Sequence, residues 1–447
     1  MSEARKTDLY ELTMAMSYVR EGMTEPATFS LFVRDLPPER GFLVAAGLEP
    51  ALDYLSGFRI GPEDLDSFGK ALGRPARDLV PLLGTAFKGE VRAVPEGTVV
   101  FANEPLLEVT APLPVAQLVE TYLLNLVNHQ TAVASKAARC VLAAEARPVM
   151  DFSMRRTHGL AAGYEAARTG AVVGFAGTSN VDAAASLGLP AIGTMAHSYV
   201  EAFSSEEGAF RAFARAHPDH PVTFLVDTYD TDAGVRTAAR VLKSHGTAAG
   251  SAVRLDSGNL GEQAVRARRI LDSAGLTDVL IVASGGLDEY AVDRLVRAGA
   301  PIDVYAVGTR VGVSADAPYL DSAYKLVAYG GRPVMKLSSA KTTAPGAKQI
   351  FRSHGCSDVI ALQSEQPGSG ERPLMRPVMR NGRRVSEAPP LREARERFTA
   401  DLAQLPPEAR RITGPTAPRP AFSDRLKALS DQVRHRIESE ILAPQRV

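Results

Sequence analysis

The chain has 447 residues, of which 45% are apolar and 23% are charged, and its 51 basic side chains balance 51 acidic ones. This length exceeds one ordinary domain and predicts a barrel-sized unit with one or two further domains. The balanced charge excludes a global field that would draw the protein onto nucleic acid or a membrane, so any anionic ligand must be held by local groups.

Two features bear on the cellular setting. Cys140 and Cys356 are the only cysteines, too few and too isolated for a disulfide framework or a thiolate zinc site. The opening MSEARKTDLYEL has no apolar h-region, and no run of about 18 apolar residues occurs. We therefore expect a reduced, cytoplasmic protein with neither nucleic acid nor membrane as a partner.

Residues 1–145 are predicted to form a mixed α+β domain. Two strand-like stretches, 27–36 and 97–111, flank helical and turn-rich segments. Pro112 and Pro114 then precede a long helix whose apolar residues recur at steps of mostly three and four. This helix is expected to lead into the next domain.

Seven short apolar runs, each ending at a polar or glycine-bearing turn, mark residues 146–325 as an α/β barrel domain. They are residues 148–159, 171–180, 190–199, 222–231, 251–258, 278–286 and 303–312. Strand, turn and helix units of about 20 to 30 residues are typical of a ring of parallel strands. Such strands deliver their carboxyl ends to one rim, where we expect the functional groups.

Residues 326–447 are predicted to pack on the other two domains. This part begins with a hairpin-like pair around Gly330 and Gly331 and closes with a polar helical tail over 390–445.

Two glycine turns are the first candidates for a ligand site, because a phosphate needs convergent backbone N–H donors. Ser284-Gly285-Gly286 ends one predicted strand and opens a helix, and Gly308-Thr309 ends the next strand. Either turn alone could be a tight turn without a ligand. Their predicted adjacency favours a bound phosphate monoester.

Four charged residues could share the rim with these turns. Alternation along a strand points Arg254 and Asp256 to the same side, either as a mutually satisfied ion pair or as a ligand site. In the second case the carboxylate could accept both hydroxyls of a ribose, and the planar cation could stack on or grip an aromatic acid. Arg155 and Arg156 form either a solvated basic loop or a site for polyphosphate or carboxylate.

His197 is the sharpest single candidate. It follows the Gly193-Thr194 pair at a predicted strand end, and an imidazole can act as a general base, a nucleophile or a phosphoryl acceptor near neutral pH. No HxH, HxxxH or cysteine pair surrounds it, so a zinc site is not expected. Asp227 could orient His197, bind a divalent ion through water, or cap the following helix.

These motifs together resemble the nicotinate phosphoribosyltransferase family. The likeness rests on TDLYELTMA at 7–15, SMRRTHG, GTSNVDAA, GTMAHSYV, FLVDTYDT, VRLDSGNL, SGGLDE, VGTRV and YKLVAYGGRPVMKLS, and it runs from about residue 7 to about 352. Beyond about residue 355 the sequence lacks motifs that we can place.

The resemblance implies a fold and an activity. The fold is an irregular TIM-like α/β barrel with an additional α+β domain built largely from the N-terminal part, as in type II phosphoribosyltransferases. The activity joins nicotinate to 5-phosphoribosyl 1-diphosphate in NAD salvage, with coupled ATP hydrolysis and Mg²⁺. Family members are typically homodimers whose active sites take residues from both subunits.

The resemblance also implies roles for individual residues. His197 would be phosphorylated by ATP, Arg254 and Asp256 would bracket nicotinate and ribose, Tyr10 of the partner subunit would stack on the pyridine ring, and Thr194 would line the nicotinate site. Ser284, Gly285, Gly308 and Thr309 would bind the ribose 5-phosphate, and Arg155 and Arg156 would face carboxylate or diphosphate. Asp227, which completes the ring of rim residues, is a further substrate-binding candidate without a role implied by the resemblance.

One departure from the family pattern leaves the substrate open. The arginine motif usually begins with a Phe-Gly or Leu-Gly step, whereas this chain has Asp151-Phe152-Ser153-Met154. Asp151 could accept a hydrogen bond from a carboxamide, so nicotinamide competes with nicotinate, while the doubled arginine and RLDSG favour the acid. Two further functions stay open, namely quinolinate phosphoribosyltransferase and a phosphate-binding regulatory sensor without turnover.

Overall fold

The computed structural model describes residues 2–218, 220–245, 250–337 and 343–442. The chain divides into two compact units: the first comprises Met1–Ala132 and Tyr319–Val447, and the second comprises Val133–Pro318. The division falls inside the long helix Glu120–Ala144. The two segments that the sequence pattern separated as 1–145 and 326–447 therefore contribute mainly to one unit, because the strand Ser322–Tyr329 pairs with Pro26–Val33.

The strands are short, as their apolar runs predicted. In chain order they are β1 (Pro26–Val33), β2 (Leu43–Val44), β3 (Glu90–Ala93), β4 (Val99–Val100), β5 (Pro105–Pro112), β6 (Val149–Asp151), β7 (Gly177–Thr178), β8 (Thr223–Leu225), β9 (Ala252–Leu255), β10 (Leu280–Ala283), β11 (Val304–Val307), β12 (Ser322–Tyr329), β13 (Arg332–Pro333), β14 (Lys348–Ser353), β15 (Ser357–Leu362), β16 (Arg372–Pro373), β17 (Arg376–Arg380), β18 (Arg383–Arg384) and β19 (Ala421–Phe422).

The helices connect and cover these strands. In chain order they are α1 (Leu9–Arg20), α2 (Leu48–Gly57), α3 (Pro62–Leu72), α4 (Leu113–Leu118), α5 (Glu120–Ala144), α6 (Leu160–Val172), α7 (Val181–Leu187), α8 (His197–Glu201), α9 (Glu206–Ala216), α10 (Thr231–His245), α11 (Leu260–Ser273), α12 (Glu289–Arg297), α13 (Thr309–Gly312), α14 (Leu391–Gln404) and α15 (Asp424–Arg436). Within the described residues, no helix combines the length and the apolar character that crossing a membrane requires.

The first unit is built on an antiparallel sheet of seven strands in the order β13-β12-β1-β5-β3-β17-β18. The predicted hairpin around Gly330 and Gly331 is present, since β12 and β13 pair antiparallel across a turn at which both glycines have positive φ. A second sheet of four strands has the order β16-β14-β15-β19. The predicted tail forms α14 and α15, and its last residues, 443–445, lie outside the described residues.

The second unit is built on a parallel sheet of six strands in the order β7-β6-β11-β10-β9-β8. Each pair of consecutive strands is separated by at least one helix, so all carboxyl ends lie at one edge. This arrangement confirms the predicted strand and helix alternation for six of the seven apolar runs.

The seventh run, 190–199, does not form a strand. It contributes one bridge, between Ala191 and Thr178, because Pro190 has no backbone N–H to donate to a ladder and Gly193 weakens an extended segment. Within the described residues the sheet therefore ends at this bridge on one side and at β8 on the other, as an open half-barrel.

Candidate active site

The site is an extension of the inner face of the parallel sheet. Alternate residues of four strands form an apolar layer there: Ala252, Val282, Val304 and Ala306, with Met150, Phe152 and Leu280 packed against it. Side chains alternate along a strand, so the residues two positions after Ala252, Val282 and Ala306 lie on the same face. These residues, at the carboxyl ends of their strands, are Arg254, Ser284 and Gly308. The period of the strands thus delivers three of the predicted residues to one rim.

Arg254 is the most constrained side chain of this rim. It is 8% exposed, and its Nε donates to Ser284 Oγ at 3.0 Å. Its Nη1 donates to Thr194 Oγ1 and to the Met195 carbonyl. The guanidinium carbon lies 5.8 Å from the centre of the Phe152 ring. These contacts fix the plane of the cation and leave Nη2 as the nitrogen with an N–H available to a ligand.

Asp256 continues this network toward solvent. Its Oδ1 accepts from Arg254 Nη2 at 3.2 Å and from Ser284 Oγ at 2.5 Å. Its Oδ2 lies 3.9 Å from His197 Nε2, and the side chains of Asp256 and His197 are 28% and 40% exposed. One carboxylate oxygen is therefore held by protein donors, while the other faces an accessible imidazole.

His197 is oriented by one hydrogen bond. Its Nδ1 lies 3.1 Å from Thr228 Oγ1, and the donor of this bond depends on the tautomer. The opposite nitrogen, Nε2, is the one that faces Asp256. An imidazole held in this way presents Nε2 to a ligand.

Asp227 lies beneath the turn that carries Asp256. Its Oδ2 accepts from the Asp256 backbone N at 2.9 Å and from Ser257 Oγ at 2.7 Å. Its Oδ1 is buried and has no hydrogen-bond partner among the described residues. Asp227 therefore orients the Asp256 turn rather than His197, and it keeps one carboxylate oxygen available.

The two glycine turns lie directly beside these residues. Gly285 has a φ of +86°, and a Cβ there would lie 1.7 Å from the Asp256 carbonyl oxygen, so only glycine fits. A Cβ at Gly308 would lie 3.0 Å from the Phe152 carbonyl oxygen. Thr309 is exposed and begins the short helix α13. The turns therefore flank the network on adjacent strands.

A cavity of about 510 Å³ opens at this rim. Five of the predicted residues line it, namely Arg155, Thr194, His197, Arg254 and Asp256. The predicted residues Arg156, Asp227, Ser284, Gly285, Gly308 and Thr309 stand outside its lining. Tyr10 belongs to the first unit, on α1, and is 47% exposed, so its predicted role from a partner subunit stays a prediction.

Comparison with known proteins places the chain in a family. Domain models described as nicotinate phosphoribosyltransferase (NAPRTase) N-terminal domain, NAPRTase family and NAPRTase C-terminal domain match residues 6–128, 148–303 and 366–430. Nicotinate phosphoribosyltransferase pncB2 of Mycobacterium tuberculosis is 47% identical over 96% of this chain and 93% of its own length. The Bacillus subtilis nicotinate phosphoribosyltransferase is 41% identical over 82% of this chain and 77% of its own length.

This chain belongs to the nicotinate phosphoribosyltransferase family. The C-terminal match also corrects the extent of the sequence resemblance, which ended near residue 352, since the family domain reaches residue 430. The solved structure of human nicotinic acid phosphoribosyltransferase superposes with a TM-score of 0.85 and 31% identity, over 96% of this chain and 99% of that one. A nicotinate-nucleotide pyrophosphorylase from Pyrococcus furiosus reaches a TM-score of 0.75 at 26% identity, over 90% and 95% of the two chains.

Within this family, the departure at Asp151 has a structural explanation. Asp151 is 2% exposed and does not line the cavity. Its Oδ1 accepts from Ser153 N at 2.9 Å and its Oδ2 from Thr178 Oγ1 at 2.7 Å. The carboxylate therefore fixes the start of the arginine turn and is not placed to receive a carboxamide in the cavity.

Phe152 and Thr228 are the site residues that sequence reasoning missed. Phe152 lines the cavity and lies against the Arg254 guanidinium, and Thr228 orients His197. The alternation from Met150 on β6 to Phe152 just after it could have revealed the first, whereas nothing in the sequence distinguished Thr228 from its neighbours. Arg155 and Arg156 are exposed on the turn that follows Phe152, and neither pairs with a carboxylate in the described part of the chain.

Proposed function

We propose that the protein is a nicotinate phosphoribosyltransferase that forms nicotinate mononucleotide and diphosphate from nicotinate and 5-phosphoribosyl 1-diphosphate, with coupled ATP hydrolysis, in NAD salvage. One observation carries this proposal: Arg254, Asp256 and His197 line a single cavity at the carboxyl rim of a parallel sheet. The open sheet of the second unit serves as the irregular barrel of a type II phosphoribosyltransferase.

Nicotinate binds against an aromatic wall, beside two cations. Arg254 and Arg155 supply positive charge to the cavity, and Phe152 supplies an apolar face for the pyridine ring. The withdrawal of Asp151 from the cavity supports the acid over the amide. Thr194, held by Arg254 Nη1, lines the same pocket.

Asp256 acts on the sugar. Displacement of diphosphate from the anomeric carbon builds oxocarbenium-like charge, so catalysis depends on positioning and on electrostatic stabilisation. The Asp256 carboxylate accepts the ribose hydroxyls and offsets this charge, and the neighbouring glycine turns bind the 5-phosphate through backbone N–H groups.

His197 accepts the phosphoryl group of ATP. The lone pair on Nε2 attacks the terminal phosphorus, the bond to the bridging oxygen breaks, and ADP leaves. The phosphohistidine adds roughly −2 charge beside the Asp256 carboxylate. Water later hydrolyses it to phosphate, and this loss of charge favours product release.

The chain also offers carboxylates suited to Mg²⁺, which prefers carboxylate oxygens and substrate phosphates. Asp227 and Asp256 are adjacent, and the buried Asp227 Oδ1 has no partner in the described residues. These two residues would hold the ion. When bound, Mg²⁺ offsets the negative charge of the diphosphate.

A cytoplasmic homodimer completes the proposal. Leu9 and Tyr10 are 52% and 47% exposed at the start of α1, which leaves the Tyr10 ring available to a partner subunit.

Product formation from three pyridines tests this function. With the sugar diphosphate supplied, we expect turnover with nicotinate, stimulated by ATP, and little product from nicotinamide or quinolinate. A preference for either of the latter would overturn the substrate assignment, and binding of the sugar diphosphate without turnover would identify a sensor.

The His197→Ala variant tests the ATP step in the same assay. It should lose ATP stimulation and retain a slow ATP-independent reaction, because the sugar and pyridine contacts remain. His220→Ala, on an exposed loop of the second unit, serves as the control. Equal ATP stimulation in the His197 variant would refute its assignment as phosphoryl acceptor.

A further inference from the structure

The two glycine turns of the second unit are tied together by an ion pair at the surface. Asp288 is the N-cap of α12, four residues after Ser284, and its Oδ1 accepts from Ala291 N at 2.9 Å. Its Oδ2 accepts from Arg310 Nη1 at 2.6 Å. Arg310 directly follows Thr309 of the second turn, so one carboxylate caps the helix after the first turn and binds the second turn.

A buried ion cluster forms a second tie between the same two segments. Glu289, which is fully buried, binds Arg139 Nε at 2.9 Å and Lys136 Nζ at 2.5 Å. Lys136 Nζ also lies 2.9 Å from Asp316 Oδ1, downstream of the second turn. Lys136 of α5 thus joins the residue that follows Asp288 to the segment that follows α13, and Arg139 of the same helix adds a second contact to Glu289.

We infer that Asp288, Arg310 and Lys136 are positioning residues that fix the separation of the two turns for a sugar phosphate. This inference rests on the proposed function of the turns. Backbone N–H donors bind a phosphate only if both turns converge on it, and glycine-rich turns are costly to order by themselves. Gly285 and Gly286 both have positive φ, so rigidity must come from the residues that flank them.

The charge of the Asp288–Arg310 pair does not by itself favour a phosphate at the neighbouring turn. A carboxylate at position 288 repels a phosphate bound at the neighbouring turn, and it engages a guanidinium that could otherwise attract that phosphate. Its presence beside the turn is therefore unfavourable for binding unless it positions the donors. If Asp288 acted only through its charge, neutralising it would strengthen phosphate binding. If Asp288 positions the donors, neutralising it would weaken that binding.

Asp288→Asn separates them, because asparagine is an equally good N-cap but does not form the charged tie. We expect ribose 5-phosphate, measured by calorimetry, to bind about 10- to 100-fold more weakly, because a misplacement of about 1 Å can cost about 10²-fold. The KM for the sugar diphosphate should rise while that for nicotinate stays unchanged. Unchanged or tighter binding of ribose 5-phosphate would overturn the inference.

Further variants keep the test specific. Arg297→Gln breaks a comparable ion pair with Asp293, 2.8 Å long, at the other end of α12, and should leave binding unchanged. Arg310→Lys should restore part of the affinity lost in Arg310→Gln. If Arg297→Gln weakens ribose 5-phosphate binding as much as Asp288→Asn does, the loss of affinity comes from a less stable α12. That result would contradict the positioning role.

The same binding measurement separates this inference from the proposed function. Wild-type protein that binds ribose 5-phosphate but forms no nicotinate mononucleotide would contradict the activity and leave the positioning test intact. Wild-type protein that does not bind ribose 5-phosphate would overturn the inference itself.

Discussion

Two ionic networks of this protein are both centred on a buried arginine, but they differ in how completely their charged groups are paired. In the first unit, Arg352 is 2% exposed, and it donates through Nε to Asp358 at 2.9 Å, through Nη1 to Asp401 at 2.9 Å and through Nη2 to the Val99 carbonyl at 2.7 Å. Every nitrogen of this guanidinium has a protein partner. We call these residues the sealed network.

In the second unit, Arg254 is held almost as fully, but the residues that follow it in the network are not. Asp256 and His197 are 28% and 40% exposed and approach each other only to 3.9 Å, and Asp227 keeps one oxygen without a partner in the described residues. We call these residues the open network. The comparison teaches that a closed set of partners serves the fold, whereas unfilled hydrogen-bonding capacity at a cavity serves a ligand.

Removing the cation of the sealed network should have the largest effect. Arg352→Met leaves Asp358 and Asp401 buried without their shared partner, and breaking a buried ion pair in this way costs about 3–5 kcal/mol. We expect denaturant unfolding to show this loss in the free energy of unfolding, with kcat per folded molecule retained.

Arg372→Met is the matched control, because Arg372 binds the same Asp401 at 2.7 Å with a side chain that is 46% exposed. Because Arg372 is half-exposed and Asp401 keeps Arg352 as a partner in this variant, the loss should be at most about 1 kcal/mol. Equal destabilisation by the two variants would show that burial is not what distinguishes the sealed network.

Neutralising the carboxylate of the open network should cost activity instead. Asp256→Asn preserves the shape of the side chain but removes the charge that offsets the oxocarbenium-like sugar, so kcat should fall about 10²- to 10³-fold. The free energy of unfolding should change by no more than about 1 kcal/mol, because the side chain is partly exposed. Steady-state kinetics and denaturant unfolding measure the two quantities.

Asp230→Asn provides the control for this variant. Asp230 lies on the same rim and caps α10 by accepting from Ala233 N at 2.8 Å, a bond that asparagine retains. Its activity should match the wild type. A large loss of stability with little loss of activity in Asp256→Asn would reverse the contrast between the networks.

The open network could largely be predicted from sequence because it follows from strand period and strand order. Arg254 and Asp256 lie two residues apart, so alternation places them on one face, and the neighbouring parallel strand β10 brings Ser284 to the same edge. His197 reaches this edge from the start of α8 rather than from a strand. The run at 190–199 does not form the strand that its apolar residues predict, since its proline and glycine outweigh them. Asp151 could not be interpreted from sequence, because its partners Ser153 and Thr178 are set by the fold.

The sealed network could not be predicted in the same way. Arg352 and Asp358 face each other only through the register of β14 and β15, and Asp401 arrives from α14, 49 positions away. In sequence all three resemble ordinary surface charges of a polar segment. The ion pairs formed by Asp288 and Lys136 could not be predicted for the same reason, because they depend on long-range contacts rather than on a local sequence pattern.

Glu104 neighbours Arg352 and Asp358 of the sealed network, and its titration provides the test with the smallest expected effect. It is fully buried, and its Oε2 accepts from Phe101 N at 2.8 Å. Burial, and then the neighbouring Asp358 charge, raise the pKa of Glu104 well above its ordinary value of 4.5. The folded protein therefore keeps a proton on this group at pH values where the unfolded chain has released it.

The sign of the pH dependence follows from this difference. The stabilisation is complete below about pH 4.5, the ordinary pKa, and is lost progressively as the pH rises toward the higher pKa of the folded state. Glu104→Gln retains an acceptor for Phe101 N and cannot titrate. We expect this variant to exceed the wild type in free energy of unfolding at pH 7, and by less at pH 5, because only the wild type loses stability as the pH rises.

Denaturant unfolding at several pH values between 5 and 8 measures this difference, with the exposed Glu387→Gln as control. Parallel pH profiles for wild type and Glu104→Gln would mean that Glu104 is ionised in the folded state. The sealed network would then hold three carboxylates around Arg352, and its stability would depend on attraction to that cation rather than on a proton retained by burial. A divergence that grows with pH establishes the opposite, that the interior tolerates this cluster because one of its acids stays neutral.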